Sequence, residues 1–582
     1  MTEVYSDFVK KVLSERGIPQ FWPKSVINQA KQAPVSVREE DRRGRRDLTD
    51  LPFVTIDGEN SRDFDDAVYA ENTAGGWQLY VAIADVSWYV RPDTPVDREA
   101  SVRGNSVYFP EVMVSMLPDA YCTGICSLNP HEDRLCMVCE MEIARDGRMK
   151  SYQFYPAVIN SHDRLTYHEV HVMISGKQKI INRHREVYPH VCNLYEAAKA
   201  IRLYSAQNRP LSLQNSEPVY QLSKDGAKVK RLTVEQHTKA NWMIEACMVA
   251  ANTAAARFIR EHGMDLIYRV EEGPLPEKLT EFRALISSLP ETLDGGMNPS
   301  LKNIESFLKS IQGKPYEDAL IKLLLRHQTK AVYTSAHSGH YLLGISEYTH
   351  FTSPIRRYVD LTVHRIIHRC IEMDREKTKK SQSVFERAAQ LEAAAAAGGR
   401  KNVRDMARRF LSKLAGRKAA EQGLGNAVPG CYAVPDTAVP DTAVSGNAQN
   451  NSPAASRKIY SRDYLEQVAQ RCNETEKRAQ ESWYQINKWL NASFMSDKVC
   501  QVFSGTIIAT REFGLFVHLE EYCMDIFVYI GSLGRHEKCE FVPTTFVIRG
   551  LYSSKTYHVG QSVAVEITAV NVAEGRVQGI LK

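Results

Sequence analysis

Between residues 51 and about 155, short apolar runs such as LPFVTI, WQLYVAIADVSWYV and RLCMVCEMEI alternate with turn-rich stretches such as RPDTPVD and SLNPHED. Runs of this length, bounded by Pro, Asn and Asp, predict strands. From about residue 236 the period lengthens, and HTKANWMIEACMVAANTAAARFIREHG reads as an Ala-rich amphipathic helix stopped by Gly263. Strands followed by helices indicate an α+β domain rather than a doubly wound sheet. Residues 1–50 hold one helix, DFVKKVLSERG, a proline-containing connector and the charged run REEDRRGRRD, too little for a domain of their own.

The pattern breaks between about 374 and 459. There the chain runs through KTKKSQS, AAQLEAAAAAGGRK and the direct repeat VPDTAVPDTA to SGNAQNNSPAAS. Such segments lack the apolar surface that offsets ordering entropy, so a partly helical, largely disordered insertion is predicted. Helical periodicity returns over 460–497, in YLEQVAQRCNETEKRAQESWYQINKWL. Residues 498–582 then read as short strands with glycine turns, among them VFSGTIIATREFGLFVHL, DIFVYIGSL and QSVAVEITAV, which suits a small OB-type β-barrel. The expected organisation is a domain over 51–373, completed by the helix after the insertion, and a C-terminal barrel.

Composition narrows the class. With 43% hydrophobic and 25% charged residues over 582 positions, the chain reads as a globular protein of several domains. A net charge of +5 is too small to make the whole surface a polycation, so any nucleic-acid binding must arise locally. Twelve irregularly spaced cysteines, an N-terminus without an apolar leader core and no run of about 18 apolar residues predict a cytoplasmic protein without a membrane span.

Candidate chemistry is concentrated in two stretches. In TIDGENSRDFDDAVYA, residues 55–70, four carboxylates (Asp57, Asp63, Asp65 and Asp66) fall within ten positions. Two unit charges roughly 4 Å apart repel by about 4 kcal/mol at an effective dielectric of about 20, so a convergent cluster requires protonation or a cation. Oxygen ligands without His or Cys favour Mg²⁺ or Mn²⁺ over zinc. A solvated acidic turn is the alternative reading. An EF-hand does not fit, because the bidentate Glu at the twelfth position is missing.

The second stretch is EYTHFTSPIRRYVDLTVHR, residues 347–365. Thr352 or Ser353 can cap a helix whose first residue is Pro354. Arg356 and Arg357 then lie in its first turn, where cations are unfavourable unless an anion such as phosphate docks. The alternative is that both arginines pair with Asp360 or Glu347.

These stretches, together with VAIADVSWYVRPDTPVDREASVRGNSVYFP and MLPDAYCTGICSLNPHEDRLCMVCEM, resemble the catalytic RNB domain of the ribonuclease II and ribonuclease R family. The resemblance covers nearly all of residues 10–373 and resumes from about 460 to the end, where the barrel is similar to the family's S1 domain. It implies a mixed-sheet α+β catalytic domain and a monomer that degrades single-stranded RNA from its 3′ end with Mg²⁺, or Mn²⁺ as a substitute. The products would be nucleoside 5′-monophosphates. It also implies that Asp57, Asp63 and Asp66 hold metal and that Asp65 belongs to the same centre and is the aspartate most directly tied to catalysis. Arg356 would hold the scissile phosphate, with Arg357 also facing RNA. Tyr108 would stack on bases, Tyr167 would lie by the terminal nucleotide, and Glu245 would sense the ribose.

The chain departs from the family in three places. In RPLSLQ, Leu213 stands where the family has a base-clamping phenylalanine, which predicts weaker holding of the 3′ end. WPKSVINQAKQ resembles the connector into the catalytic domain, so the chain is expected to begin about where the family's second cold-shock domain ends. The insertion obscures a family glutamate on the following helix, for which Glu481 and Trp483 are equal candidates.

Other signals are set aside. Cys122, Cys126, Cys136 and Cys139 could suggest zinc, but residues three apart on a strand point to opposite faces. His340 and His350 read as satisfied histidines, and RRGRR as a solvated connector. In the barrel, at least one of Phe513, Phe516 and Tyr529 should be exposed on an RNA-binding face, with Phe516 and Tyr529 favoured. The competing functional readings are a truncated RNA-binding protein with little activity and a DNA-directed metallonuclease.

Overall fold

In the computed structural model, which describes residues 4–206, 216–314, 316–396, 432–433, 458–533 and 538–582, the early apolar runs form one mixed sheet. Its strands are β1 (Arg46–Asp47), β2 (Phe53–Asp57), β3 (Asp66–Thr73) and β4 (Gly76–Ala84), followed after the small hairpin β5–β6 (Val107–Phe109 and Val112–Val114) by β7 (Asp133–Ala144) and β8 (Met149–Thr166). The order is β1-β8-β2-β3-β4-β7. β8 is 18 residues long. Its first part pairs antiparallel with β7 and its second part parallel with β2, so the sheet curls back on itself. The run WQLYVAIADVSWYV is strand only to Ala84; Val86–Tyr89 is a short helix.

The sheet buries both faces. Helices Tyr188–Ala206 and Lys239–Glu261 pack against it, and the apolar faces of these helices supply Leu194, Ile201, Met243 and Phe258 to the same core. Cys136 and Cys139, three apart on β7, are both fully buried, as a strand covered on two sides allows.

The stretch expected to be a partly helical insertion from about residue 374 starts within a helix. Helix Tyr358–Ala396 runs unbroken for 39 residues through position 374. The low-complexity stretch beyond it lies mostly outside the described residues; Tyr432–Ala433 form a short strand against Tyr152 and Ser151 of β8. Helix Arg462–Met495 follows, capped by Ser461.

This last helix links the two ends of the chain. Its Trp489 lies 5.5 Å from Tyr5 and 5.6 Å from Phe8 of helix Tyr5–Glu15, in a second core shared with the barrel. The barrel is closed from five strands, Val502–Arg511, Gly514–Leu519, Met524–Tyr529, Ser562–Asn571 and Arg576–Leu581. Three helices, Pro276–Ile286, Leu301–Ile311 and Glu317–Arg326, form a third core that buries Val559 of the barrel domain.

Candidate active site

β2 ends at Asp57 and β3 begins at Asp66, so the loop between them carries Asp63 and Asp65 at the edge of the sheet. The parallel register sets Asp57 beside Thr166. Thr166 caps the next helix, accepting the N–H of Glu169 at 3.1 Å, which fixes Tyr167 as the first helical residue. Burial, then the charges of Asp57 and Asp66, push the Tyr167 phenol up. The loop itself is held from two sides. Arg164 donates to the carbonyls of Gly58 and Glu59, at 3.0 and 2.6 Å. Ser127 accepts the N–H of Phe64 and donates to the carbonyl of Arg62.

The arginine stretch reaches this loop from far along the chain. Asp65 Oδ1 accepts the N–H of Ile355 at 2.8 Å, and its Oδ2 lies 3.6 Å from Arg356 Nε. The expected helix start at Pro354 is not formed: Pro354, Ile355 and Arg356 make a turn, and the helix begins at Tyr358. The reason is tertiary. The free N–H groups of this segment are taken by carboxylates, Ile355 by Asp65 and Ser353 by Asp360 at 2.8 Å. The anion at this turn is thus a side chain of the protein.

A short backbone pairing completes the arrangement. Ser106 donates to the carbonyl of Arg356 at 3.0 Å, and Tyr358 donates to that of Gly104 at 2.9 Å. Gly104 has φ +70°, and a Cβ there would lie 2.1 Å from Thr475 Oγ1, so glycine is required. The hairpin that follows delivers Tyr108, whose hydroxyl donates to Asp63 Oδ2 at 2.5 Å while its ring stays 43% exposed.

The two arginines diverge. The Arg356 side chain is 49% exposed and donates to Ser353 Oγ at 3.1 Å. Arg357, expected to face RNA, instead forks onto Asp360 through two 2.8 Å hydrogen bonds; burial opposes its charge, but Asp360 holds it. Glu347 pairs with Arg260. Glu481, one candidate for the helix-borne carboxylate, is held by Arg16 at 2.6 Å, and Trp483 stacks on Phe109 at 6.3 Å. Glu245 is exposed on helix Lys239–Glu261. Leu213 lies outside the described residues.

His350 accepts from or donates to Tyr333 at 2.8 Å, and burial followed by the field of Arg357 holds its imidazole well below the usual range, hence neutral. In the barrel, Tyr529 and Phe513 are exposed, whereas Phe516 is half-buried between Phe513 and Phe527. The face is aromatic as expected, but Phe513 rather than Phe516 is its outer ring.

The electrostatics of the loop bear on a cation. Burial and then the charge of Asp66 push the Asp57 carboxyl up to about 8; burial pushes Asp66 up to about 6, with Arg356 pulling it back. Burial also raises Asp65, against the pull of Arg356, and its buried Oδ2 has no hydrogen-bond partner among the described residues. Among the described residues no three His, Cys, Asp or Glu side chains converge enough to hold an ion unaided. An all-oxygen set that destabilises its own charge, and offers one or two carboxylates, fits Mg²⁺, which keeps waters and takes substrate phosphate oxygens.

Comparison with known proteins identifies both domains. A family model described as the RNB domain matches residues 45–373, and one described as the S1 RNA binding domain matches 496–582. The chain is 35% identical to ribonuclease R of Escherichia coli over 561 residues, 96% of this chain and 60% of that protein. It is 30% identical to ribonuclease R of Buchnera aphidicola subsp. Schizaphis graminum over 573 residues, 98% of this chain and 68% of that protein. Among solved structures, Mycoplasma genitalium RNase R in complex with ribose methylated single-stranded RNA superposes with a TM-score of 0.77 at 25% identity, covering all of this chain and 78% of that one.

Proposed function

Because the chain belongs to the RNB-domain family of ribonuclease R, we propose that it is an exoribonuclease that removes nucleotides from the 3′ end of single-stranded RNA as 5′-monophosphates. It spans about 60% of the length of the first relatives it matches. The observation that carries the reading is the joining of Asp65 to Ile355 and Arg356. It brings a half-exposed guanidinium to the loop that carries the four carboxylates, a pairing suited to phosphodiester hydrolysis.

Asp57 and Asp66, with Asp63 beside them, would hold Mg²⁺ or Mn²⁺. Such an ion, when bound, polarises a phosphoryl oxygen and lowers the pKa of water. Arg356 offers its guanidinium to the non-bridging oxygens of the scissile phosphate, where charge grows in the transition state. Asp65 aims that guanidinium by holding the turn on which it sits. The Tyr108 ring offers a stacking platform for any base, and its hydroxyl keeps the ring in place through Asp63. Tyr167 and Glu245 are assigned to the terminal ribose, whose 2′-hydroxyl distinguishes RNA from DNA.

Phe513 and Tyr529 of the barrel supply a second RNA contact. Arg357 is given a supporting role, holding Asp360. No helix among the described residues is long and apolar enough to cross a membrane; action as a cytoplasmic monomer belongs to the same proposal. The test is chromatography of the products released from RNA and from DNA of the same sequence. Nucleoside 5′-monophosphates from RNA with Mg²⁺, and none with EDTA, support the reading. Intact RNA under all conditions overturns it.

A further inference from the structure

A guanidinium outside the two sequence motifs contacts the acidic loop at two places. Arg164 lies on β8 opposite Thr55 of β2, two residues before Asp57. One of its nitrogens donates to two consecutive carbonyls, Gly58 at 3.0 Å and Glu59 at 2.6 Å, immediately after Asp57. Its Cζ stands 5.6 Å over the ring of Phe64, which directly precedes Asp65. The same side chain therefore touches the loop just after its first aspartate and just before its last pair.

A neutral donor could satisfy two carbonyls. A full positive charge at this place does more, because it is clamped against the two residues that directly follow Asp57 and over the ring that directly precedes Asp65. Arg356 is half-exposed and occupied by Asp65 and Ser353. Among the described residues Arg164 has no carboxylate hydrogen-bond partner, so its charge is available to the loop as a whole.

We propose that Arg164 is a positioning residue for the metal-binding carboxylates: it fixes the loop so that Asp57 and Asp63 face a common space, and its charge lowers the cost of gathering them. This rests on the functional reading above. Groups that orient metal ligands without touching the ion typically change metal affinity by about 10- to 100-fold when removed.

The test is Mn²⁺ binding by the full chain without RNA, followed by the electron paramagnetic resonance signal of free Mn²⁺, with thermal melting as a control. Arg164→Gln, which removes the charge, should weaken Mn²⁺ binding at least about 10-fold. Arg164→Lys, which keeps the charge without the planar fork, should weaken it roughly 3-fold. Affinity for single-stranded RNA in EDTA should stay within about 2-fold of the parent for both variants. If Arg164→Gln does not fold, Arg164→Lys decides. Either variant melting within a few degrees of the parent and binding Mn²⁺ as tightly overturns the proposal. A parent chain that neither binds Mn²⁺ nor degrades RNA overturns the functional reading itself, and this inference with it.

Discussion

Asp65 accepts the backbone N–H of Ile355, 290 residues further along the chain, at 2.8 Å. This bond joins the acidic loop to the arginine turn, so the reacting groups are held by a contact between two loops, each braced by the sheet or by helix Tyr358–Ala396. An asparagine could still accept the Ile355 N–H but would bring no charge to Arg356. Asp65→Asn should therefore fold normally and bind RNA, while kcat falls by about 100- to 1000-fold. Single-turnover cleavage beside filter binding in EDTA separates these effects.

Neighbouring arginines should behave oppositely. Arg356→Ala removes a half-exposed side chain and should change stability by less than about 1 kcal/mol, yet reduce turnover by at least about 100-fold. Arg357→Met leaves the fully buried Asp360 without its cation and should cost about 3 kcal/mol of stability. Urea melts of both variants, with turnover measured below the transition, check the contrast.

The ring and the hydroxyl of Tyr108 can be separated. Tyr108→Ala removes the exposed stacking surface and should lose about 1–3 kcal/mol of RNA affinity. Tyr108→Phe keeps the ring and loses only the bond to Asp63, so its affinity should lie much closer to the parent. Equal losses in the two variants, read by fluorescence anisotropy, would contradict a stacking role.

Acid stability should report on His364. The imidazole is buried against Phe351, at 4.6 Å between ring centroids, and burial holds its pKa down to about 4. In the unfolded chain a histidine titrates near about 6.5. Between these values the unfolded chain takes up a proton that the folded one refuses. The stability that the neutral ring supplies is complete above about pH 6.5 and is lost as pH falls towards 4, by up to about 3 kcal/mol. His364→Gln, which can still donate to the Phe351 carbonyl, should flatten the fall in melting temperature between pH 7 and 5.

Much of this was legible in the sequence because it is local. Alternation and turn residues mark β2, β3 and the barrel strands, and Asp57, Asp63, Asp65 and Asp66 are neighbours in the chain. The pairing of Arg357 with Asp360 was already an available reading, since the two are three residues apart. What escaped is long-range. The cap and proline at Ser353 and Pro354 favour a helix start, but Asp360 and Asp65 take the N–H groups and hold a turn instead. Nothing near Arg164 or Ser127 in sequence marks them as clasps of the acidic loop. Strand alternation likewise shows that Phe513, Phe516 and Tyr529 border the barrel surface, but whether Phe516 is covered depends on Phe527 of the adjacent strand.

The central claim is tested most directly by a time course on 5′-labelled single-stranded RNA with Mg²⁺, run beside the same sequence as DNA and beside the Asp65→Asn variant. The account predicts a ladder that shortens stepwise from the 3′ end, for RNA only, and disappears in the variant. Internal cuts, equal degradation of DNA, or an Asp65→Asn variant as active as the parent would contradict it.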